Sequence, residues 1–268
     1  MAKGSVESSG SVQLVAKVAQ LLEALAERPE ASVAELAEVV DEPRSSLYRL
    51  LRSLRDVGYV EPGSRRGTFR LGLKLLELGS AVADHFDVRR SALPVMERLH
   101  EETGETVYVC VRRDDAAVCI ERLEGRRVQS LALRVGGSQP LHAGAASRAL
   151  LAFEDRADWD GYWRRNAAPR LPALTDRTPV TKGALFAALE RAVAEGMAVS
   201  DQDVTVGIAA LGVPIFDRSG TPCAALSISG VREEILNAET DALGTRLREG
   251  AAEISAAMGF RTTPVQAG

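Results

Sequence analysis

The chain is poor in the residues on which catalytic and metal sites are usually built. Its 268 residues include three histidines and three cysteines. Cys110, Cys119 and Cys223 form no C-x-x-C pair, and each lies in an apolar run, so we expect buried free thiols rather than disulfides or metal ligands. The motifs H-E-x-x-H and G-x-S-x-G are missing. The sequence therefore predicts no metal, no cofactor and no catalytic residue.

Long apolar runs and aromatic residues are also scarce. No apolar stretch approaches the ~18 residues of a membrane span, and the first residues, MAKGSVESSG, lack the apolar core of a signal peptide. We therefore expect a cytoplasmic protein without a membrane partner. Aromatic residues make up 4% and apolar residues 46% of the chain, which predicts mainly aliphatic cores in two domains of ordinary size.

Positive charge is concentrated in one short segment of an acidic protein. The formal net charge is −4, but residues 43–72 contain seven arginines and only two acids, a local charge of +5. The arginines are Arg44, Arg49, Arg52, Arg55, Arg65, Arg66 and Arg70. One compact basic face on an acidic chain indicates a specific anionic partner.

The apolar periodicity around this segment predicts a winged helix-turn-helix over residues 12–72. Three helices are expected, the second opened by a capping box of Ser32 and Glu35 and the third by Pro43. The third helix buries Leu47, Leu50, Leu51, Leu54 and Val57, and its opposite face is polar. YVEPGSRRGTFRLG then reads as a basic hairpin. This order favours DNA binding over a merely solvated surface.

The rest of the chain predicts an α+β domain. A linker helix over 73–88 leads into a domain over 89–260, whose strand periodicity includes residues 106–113, 117–124 and 128–134 and a hairpin around RSG. HAGAASRALLAF is a helix of small residues, and Thr181 caps another. An antiparallel sheet with helices packed on it is expected. Residues 1–11 and 261–268 are expected to be disordered tails.

Four segments, in this order, resemble the IclR family of bacterial transcription regulators. They are SSLYRLLRSLRDVGYVE with FRLG, LHEETGETVYV, PLHAGAASRALLAF and GIAALGVPIFDRSGTPCAALSISG. The resemblance covers about residues 12–260. It implies a winged helix, a linker helix and a GAF- or profilin-like effector domain. It also implies a homodimer or dimer of dimers that binds double-stranded operator DNA under the control of a small-molecule effector.

The resemblance carries two sets of residues into this chain. Arginines suit guanine recognition and serines suit phosphate contact or capping; the expected DNA-binding residues are Arg44, Ser45, Ser46, Tyr48, Arg49, Arg52, Arg65 and Arg66. Backbone N–H groups at a helix start suit a carboxylate, and alternate strand residues share one face. The expected effector-binding residues are Leu131, Leu133, Leu141, Ala145, Ala146, Ser200, Asp201, Ala210, Ser227 and Ser229.

The chain departs from the family pattern at several of these places. Ser200 replaces a pocket carboxylate of some members, Gly144 replaces a hydroxyl residue, and Ser147-Arg148 replaces Gly-Lys. These changes predict a roomier, less acidic site and an aromatic or partly apolar ligand. Asp41-Glu42 replaces the usual Gly-Leu in the turn before the third helix, which puts that turn's geometry in question.

Two other functions are open at this point. An enzyme would need a base beside its nucleophile, and His142, next to the expected ligand loop, is the one candidate. An architectural DNA-binding protein would need no ligand, but the large α+β domain argues against it. The sequence favours a ligand-responsive regulator, a repressor rather than an activator.

Overall fold

The computed structural model describes residues 5–84, 87–127, 133–167 and 170–260. The chain divides into two compact units, residues 1–85 and 86–268. This break lies slightly before the boundary predicted after residue 88. Within the described ranges, no helix combines the length and apolar character needed to cross a membrane.

The first unit is a winged helix-turn-helix, as predicted. Its elements are α1 (Ser5–Ala26), β1 (Ala31–Ser32), α2 (Val33–Val40), α3 (Arg44–Asp56), β2 (Val60–Pro62), β3 (Thr68–Leu71) and α4 (Leu73–Asp84). The strands pair antiparallel in the order β1-β3-β2. Strands β2 and β3 and the turn between them form the wing.

Two predicted boundaries in this unit are wrong. Helix α1 begins at Ser5, within the tail predicted to be disordered over residues 1–11. Residues 1–4 and the predicted tail over 261–268 lie outside the described residues. A helix propagates past its apolar stripe because each added residue gains a backbone hydrogen bond. Helix α4 ends at Asp84, before the predicted end of the linker at 88.

The local signals for α2 and α3 are confirmed in detail. The Ser32 side chain accepts from the Glu35 N–H, and the Glu35 carboxylate accepts from the Ser32 N–H, which completes the capping box. Leu47, Leu51 and Leu54 of α3 are buried. Val57 was expected in the same core but is exposed, because α3 ends at Asp56 and the chain turns away.

The turn between α2 and α3 forms without the glycine typical of the family. Asp41 adopts a left-handed conformation with φ 48° and ψ 52°, and its N–H donates to the Ala37 carbonyl. Aspartate tolerates this region better than most residues with a β-carbon. Glu42 forms an ion pair with Lys17 of α1, so a charged contact holds this turn.

The second unit is the predicted α+β domain. Its elements are α5 (Asp87–Thr103), β4 (Thr106–Arg113), β5 (Ala116–Leu123), β6 (Ser138–Pro140), α6 (Ala145–Ala152), α7 (Arg156–Asn166), α8 (Lys182–Glu195), β7 (Ala198–Asp201), β8 (Ile208–Phe216), β9 (Pro222–Val231), α9 (Arg232–Ile235) and α10 (Thr240–Ala257). Of the strand expected over 128–134, residues 128–132 lie outside the described residues, and Leu133 is not in a strand.

A six-stranded antiparallel sheet with the order β6-β5-β4-β9-β8-β7 forms the centre of this unit. Helices α5 and α10 pack on one face through Val95, Leu99, Leu247 and Ile254. Helices α6, α7 and α8 pack on the other face, around Leu150, Tyr162 and Leu189. Because successive strand residues point to opposite faces, each central strand supplies both cores.

The cysteines are free thiols, as predicted. Cys110 and Cys119 are buried and lie directly opposite each other on β4 and β5. Cys223 is half-buried. In the described part of the chain, no group of three or more His, Cys, Asp or Glu side chains is arranged to hold a metal ion.

Candidate DNA-binding face and ligand cavity

Helix α3 presents one exposed polar face and buries the other. Six residues predicted to contact DNA are exposed on it: Arg44, Ser45, Ser46, Tyr48, Arg49 and Arg52. Leu47 and Leu51 anchor the opposite face in the core at 1% and 0% exposure. An exposed helix of this kind has the dimensions to enter a DNA major groove.

Most of the positive charge on this face is not neutralised within the unit. Arg55, Arg65 and Arg70 form ion pairs with Asp56, Glu30 and Glu61. Among the described residues, no acidic side chain pairs with the other four arginines of the segment, which are Arg44, Arg49, Arg52 and Arg66. Their charge is therefore free for an external anion such as phosphate.

A single carboxylate organises the tip of the wing. Glu30 accepts hydrogen bonds from the Ser64 N–H at 2.6 Å, from Arg65 Nε at 2.7 Å and from Thr68 Oγ1 at 3.1 Å. The bond from Arg65, followed by those from Ser64 and Thr68, lowers the pKa of Glu30 to about 2. Arg65, a predicted DNA contact, is thus fixed through Nε while 74% of its side chain remains exposed.

A groove of about 440 Å³ separates α3 from the wing. Tyr48, Arg49, Arg52, Arg55 and Phe69 line it. Arg55, which was not among the predicted DNA-binding residues, is exposed and contributes to the groove wall.

The second unit contains a cavity of about 50 Å³ between α6 and the sheet. Seven residues of the predicted effector site line it: Leu133, Ala145, Ala146, Ser200, Ala210, Ser227 and Ser229. The other described lining residues are Tyr108, Gln139, Gly144, Val204, Thr205 and Ile208. The described lining contains no charged side chain.

Small residues in register on three strands create this space. Ser227 of β9 lies opposite Gly212 of β8, and Ser229 lies opposite Ala210, which in turn lies opposite Ser200 of β7. A β-carbon on Gly212 would lie 2.5 Å from the Ala145 carbonyl carbon. Only glycine therefore lets the first turn of α6 approach β8 this closely.

The hydrogen-bonding groups around the cavity have defined directions. Ser227 Oγ donates to the Leu211 carbonyl at 2.8 Å, and Ser200 Oγ donates to Asp203 Oδ1. Both oxygens keep lone pairs that can accept a hydrogen bond. The first N–H groups of α6, including those of Ala145 and Ala146, have no intrahelical acceptor. Donors on the helix side thus face acceptors on the sheet side.

Behind this wall lies a buried ion pair between Arg148 of α6 and Asp203, each side chain 4% exposed. Arg148 also donates to the Val199 and His142 carbonyls. Asp203 also accepts from the Ser200 hydroxyl and, at 3.4 Å, from the Gly144 N–H. The pair therefore positions both a cavity hydroxyl and the start of α6.

Three predicted effector residues are not in the described cavity wall. Asp201 points away because β7 alternates, with Ser200 inward; it pairs with Arg232 and Arg177 at 2.5 and 3.0 Å. Leu141 is fully buried in the core of α6 to α8, since the segment after β6 turns toward that core. Leu131 lies outside the described residues.

The sequence missed cavity residues that only folding brings together. Val204 and Thr205 come from a loop with no periodicity to reveal an inward side, and Ile208 is the first residue of β8. Tyr108 lies opposite Ser227 on β4, and the alternation of β4 already places it on the inward face. The alternation along β4 could therefore be seen in the sequence, but only the pairing of β4 with β9 places Tyr108 beside the cavity.

His142 has no free nitrogen for catalysis. Its Nδ1 lies 2.7 Å from the Tyr162 hydroxyl and its Nε2 lies 2.8 Å from the Pro172 carbonyl. Because a carbonyl only accepts, Nε2 carries the proton and Nδ1 accepts from Tyr162. Burial lowers the pKa of His142. The imidazole is buried and neutral, and it does not line the described cavity.

One chain combines a winged helix that has an uncompensated basic face with an α+β domain whose cavity has no charged side chain in its described lining. This combination defines a two-domain DNA-binding regulator. Residues 14–63 match the IclR helix-turn-helix domain, and residues 80–256 match the C-terminal domain of the bacterial transcriptional regulator IclR. The chain belongs to the IclR family of bacterial transcription regulators.

Individual relatives match this chain over most of their own length. The HTH-type transcriptional regulator KipR of Bacillus subtilis is 30% identical over 92% of this chain and 97% of its own. The HTH-type transcriptional repressor AllR of Salmonella typhi is 32% identical over 86% and 84%. An IclR homologue from Microbacterium hydrocarbonoxydans, solved with 4-hydroxybenzoate, has a TM-score of 0.78 at 26% identity, covering 91% of this chain and 98% of that one.

Replacing Asp203 by alanine should strongly destabilise the second unit. The change leaves Arg148 buried without a countercharge, which costs about 3–5 kcal/mol. Urea unfolding of the purified protein measures the loss. The double variant Arg148→Met/Asp203→Leu should lose less than Asp203→Ala, because no buried charge is left unpaired. Glu253→Ala, which breaks the exposed pair with Arg98, is the control; an equal loss there would contradict the assignment.

Acidification should destabilise the protein through His142. Its pKa is lowered in the folded state, so below pH 6.5 the unfolded chain binds a proton that the folded chain does not. The free energy of unfolding then falls as the pH decreases from 6.5 toward the folded pKa. Urea titrations at pH 7.5 and 5.5 should show a larger drop for the native protein than for His142→Gln. Equal drops would show that this imidazole is not buried in its neutral form.

Proposed function

We propose that this protein is a repressor whose affinity for operator DNA is changed by a small organic acid bound in the cavity beneath α6. The proposal rests on one observation with two parts. Helix α3 carries arginines that no acid among the described residues neutralises, and the second unit contains a separate cavity whose described lining has no charged side chain. The name of AllR as a repressor supports the sign of regulation, and the bound 4-hydroxybenzoate of the Microbacterium relative supports an effector.

The DNA-binding role rests on α3 and the wing. Arg44, Arg49 and Arg52 reach the major groove, where arginine reads guanine through two parallel hydrogen bonds. Arg65 and Arg66 on the wing contact phosphates. A homodimer presents two such helices to two half-sites. The exposed apolar side chains of α4, Leu73 at 64% and Leu76 at 65% exposure, support pairing with a second copy through that helix.

The polarity of the cavity selects the chemistry of the effector. The N–H groups at the start of α6 receive an acceptor, such as a carboxylate, in the positive field of the helix terminus. Ser200 and Ser227 offer lone pairs on the opposite side and so receive a donor. A ligand with a carboxylate at one end and a hydroxyl at the other satisfies both sides, which favours a hydroxy acid over a plain carboxylic acid.

The size of the cavity narrows this class. About 50 Å³ is well below the roughly 150 Å³ of an engineered apolar cavity that admits benzene. A hydroxy acid of three or four carbons requires less widening of this space than an aromatic acid does. The aromatic ligand expected from the family departures requires a larger outward movement of the lining. We therefore favour a short hydroxy acid and keep the hydroxybenzoates as the second class.

Ligand and operator act on each other through two arrangements of the molecule. A ligand that binds one arrangement better shifts the population toward it. Ligand and operator must then change each other's affinity by the same factor. An architectural DNA-binding protein would lack this reciprocity. An enzyme based on His142 would need a free imidazole nitrogen, and both nitrogens of His142 are occupied.

Arg49→Ala should weaken operator binding about tenfold or more, because each bidentate arginine–guanine contact contributes roughly 1–3 kcal/mol. Mobility shifts on the DNA upstream of the protein's own gene, at two salt concentrations, measure the effect. Effector binding, measured by calorimetry, should stay unchanged. Arg191→Ala, an exposed arginine of α8, is the control. If both variants lose operator affinity equally, or if Arg49→Ala also loses effector binding, Arg49 is not a specific DNA contact.

Lactate should bind more tightly than propionate, since only lactate can donate to the serine oxygens. Calorimetry on the native protein gives this ratio, and Ser227→Ala should reduce it roughly three- to tenfold, the contribution of one neutral hydrogen bond. Thr245→Ala on α10 is the control. The ratio of the affinities for 4-hydroxybenzoate and benzoate makes the same comparison for the aromatic class. A ratio that Ser227→Ala leaves unchanged would refute the proposed polarity.

A further inference from the structure

A second cavity of about 210 Å³ lies in the second unit, between the end of α5, α9 and the start of α10. It is on the opposite face of the sheet from the effector cavity, because Gly230 lies on the α5 side and its neighbour Ser229 faces α6. Its described lining is apolar in part and otherwise contains mostly charged side chains, which are Glu102, Glu105, Arg127, Glu234, Glu239 and Arg246.

Glu105 is the unusual group of this cavity. The residue is only 6% exposed, and among the described residues no donor forms a hydrogen bond or ion pair with its carboxylate. Buried carboxylates normally have such partners, since an unpaired one is costly. Burial accordingly raises the pKa of Glu105, and Arg127 lowers it only in part.

The fold makes room for this carboxylate. A β-carbon on Gly230 of β9 would lie 2.1 Å from Glu105 Oε2 and 2.6 Å from its Cδ. The φ angle of Gly230 is not positive, so the backbone conformation does not require glycine here. The missing side chain instead provides the space in which the acid lies.

The charges around Glu105 indicate a cationic ligand. Four carboxylates and two guanidinium groups line the cavity. Arg127 pairs with Glu234 at 2.9 Å and Arg246 with Glu102 at 3.8 Å, so both cations are already used by acids at the rim. Glu105 and Glu239 are left without a countercharge within the described part of the chain.

We infer that this cavity is a second binding site, for a small primary amine whose ammonium group donates to the Glu105 carboxylate. A metal ion fits less well, because no group of three potential ligands among the described residues is arranged to hold one. Ile235, Ala242 and Leu243 supply an apolar wall for a short carbon chain. The site is separate from the proposed effector cavity and does not depend on it.

Titration of the full-length protein with propylamine, ethanolamine and putrescine tests the site, with 1-propanol as the uncharged control. Binding is followed by NMR chemical-shift changes and by the unfolding temperature. At least one amine should bind saturably and propanol should not. Glu105→Gln should weaken amine binding at least tenfold, while Glu97→Gln, which changes an exposed acid of α5, should leave amine binding as in the native protein.

The same variants separate a binding site from a structural role. Without amine, Glu105→Gln should unfold at the same or a higher temperature, because it removes a buried, unpaired charge. Gly230→Ala, which crowds the carboxylate, should also lose amine binding. The inference is overturned if none of the three amines saturates, if Glu105→Gln binds them normally, or if that variant alone lowers the unfolding temperature by several degrees.

Discussion

The buried ion pair of Arg148 and Asp203 is the interaction on which the ligand half of the second domain depends. It connects α6 to β7 and to the loop after β7, which lie 51 to 55 positions further along the chain. Moving two charges out of water is expensive unless every donor and acceptor is satisfied. Here the pair meets two backbone carbonyls, a serine hydroxyl and the Gly144 N–H. Such a network tolerates one geometry, so it fixes the cavity wall.

In the first unit, too, one carboxylate accepts hydrogen bonds from several groups and holds them in place, here at the surface. Glu30 gathers the N–H and hydroxyl donors of the wing tip, as Asp203 gathers those around α6. Acids in this protein thus hold segments in place, while Arg44, Arg49 and Arg52 of α3 pair with no acid among the described residues and stay exposed. This division of roles explains how a chain with an overall negative charge can carry a binding face for a polyanion.

Periodicity and capping predicted most of the architecture. The spacing of apolar residues located α2 and α3, and the capping box placed the start of α2 correctly. Alternation along β9 put Ser227 and Ser229 on one face before any partner strand was known. These signals are local, so one sequence is enough to read them.

The remainder depends on contacts between distant residues. Nothing near Arg148 indicates Asp203, which lies 55 positions later. Asp201 was grouped with Ser200 because they are adjacent, although a strand sends neighbours to opposite faces. The prediction for Leu141 was wrong for a related reason. The chain leaves β6 at this residue, and the side chain of Leu141 turns into the core of α6 to α8. Loop residues such as Thr205 have no periodic pattern, so only the folded chain reveals them.

Strand β9 has a consequence for how this domain can change over time. Its inward serines belong to one cavity and Gly230 to the other, and a shift of pairing by a single residue would exchange the two faces. Both cavities would be lost together, and Ile228 would take the place of a serine in the cavity beneath α6. An insertion or deletion of one residue between Ser227 and Gly230 would therefore disrupt both cavities, whereas a substitution there can change one cavity and leave the other intact.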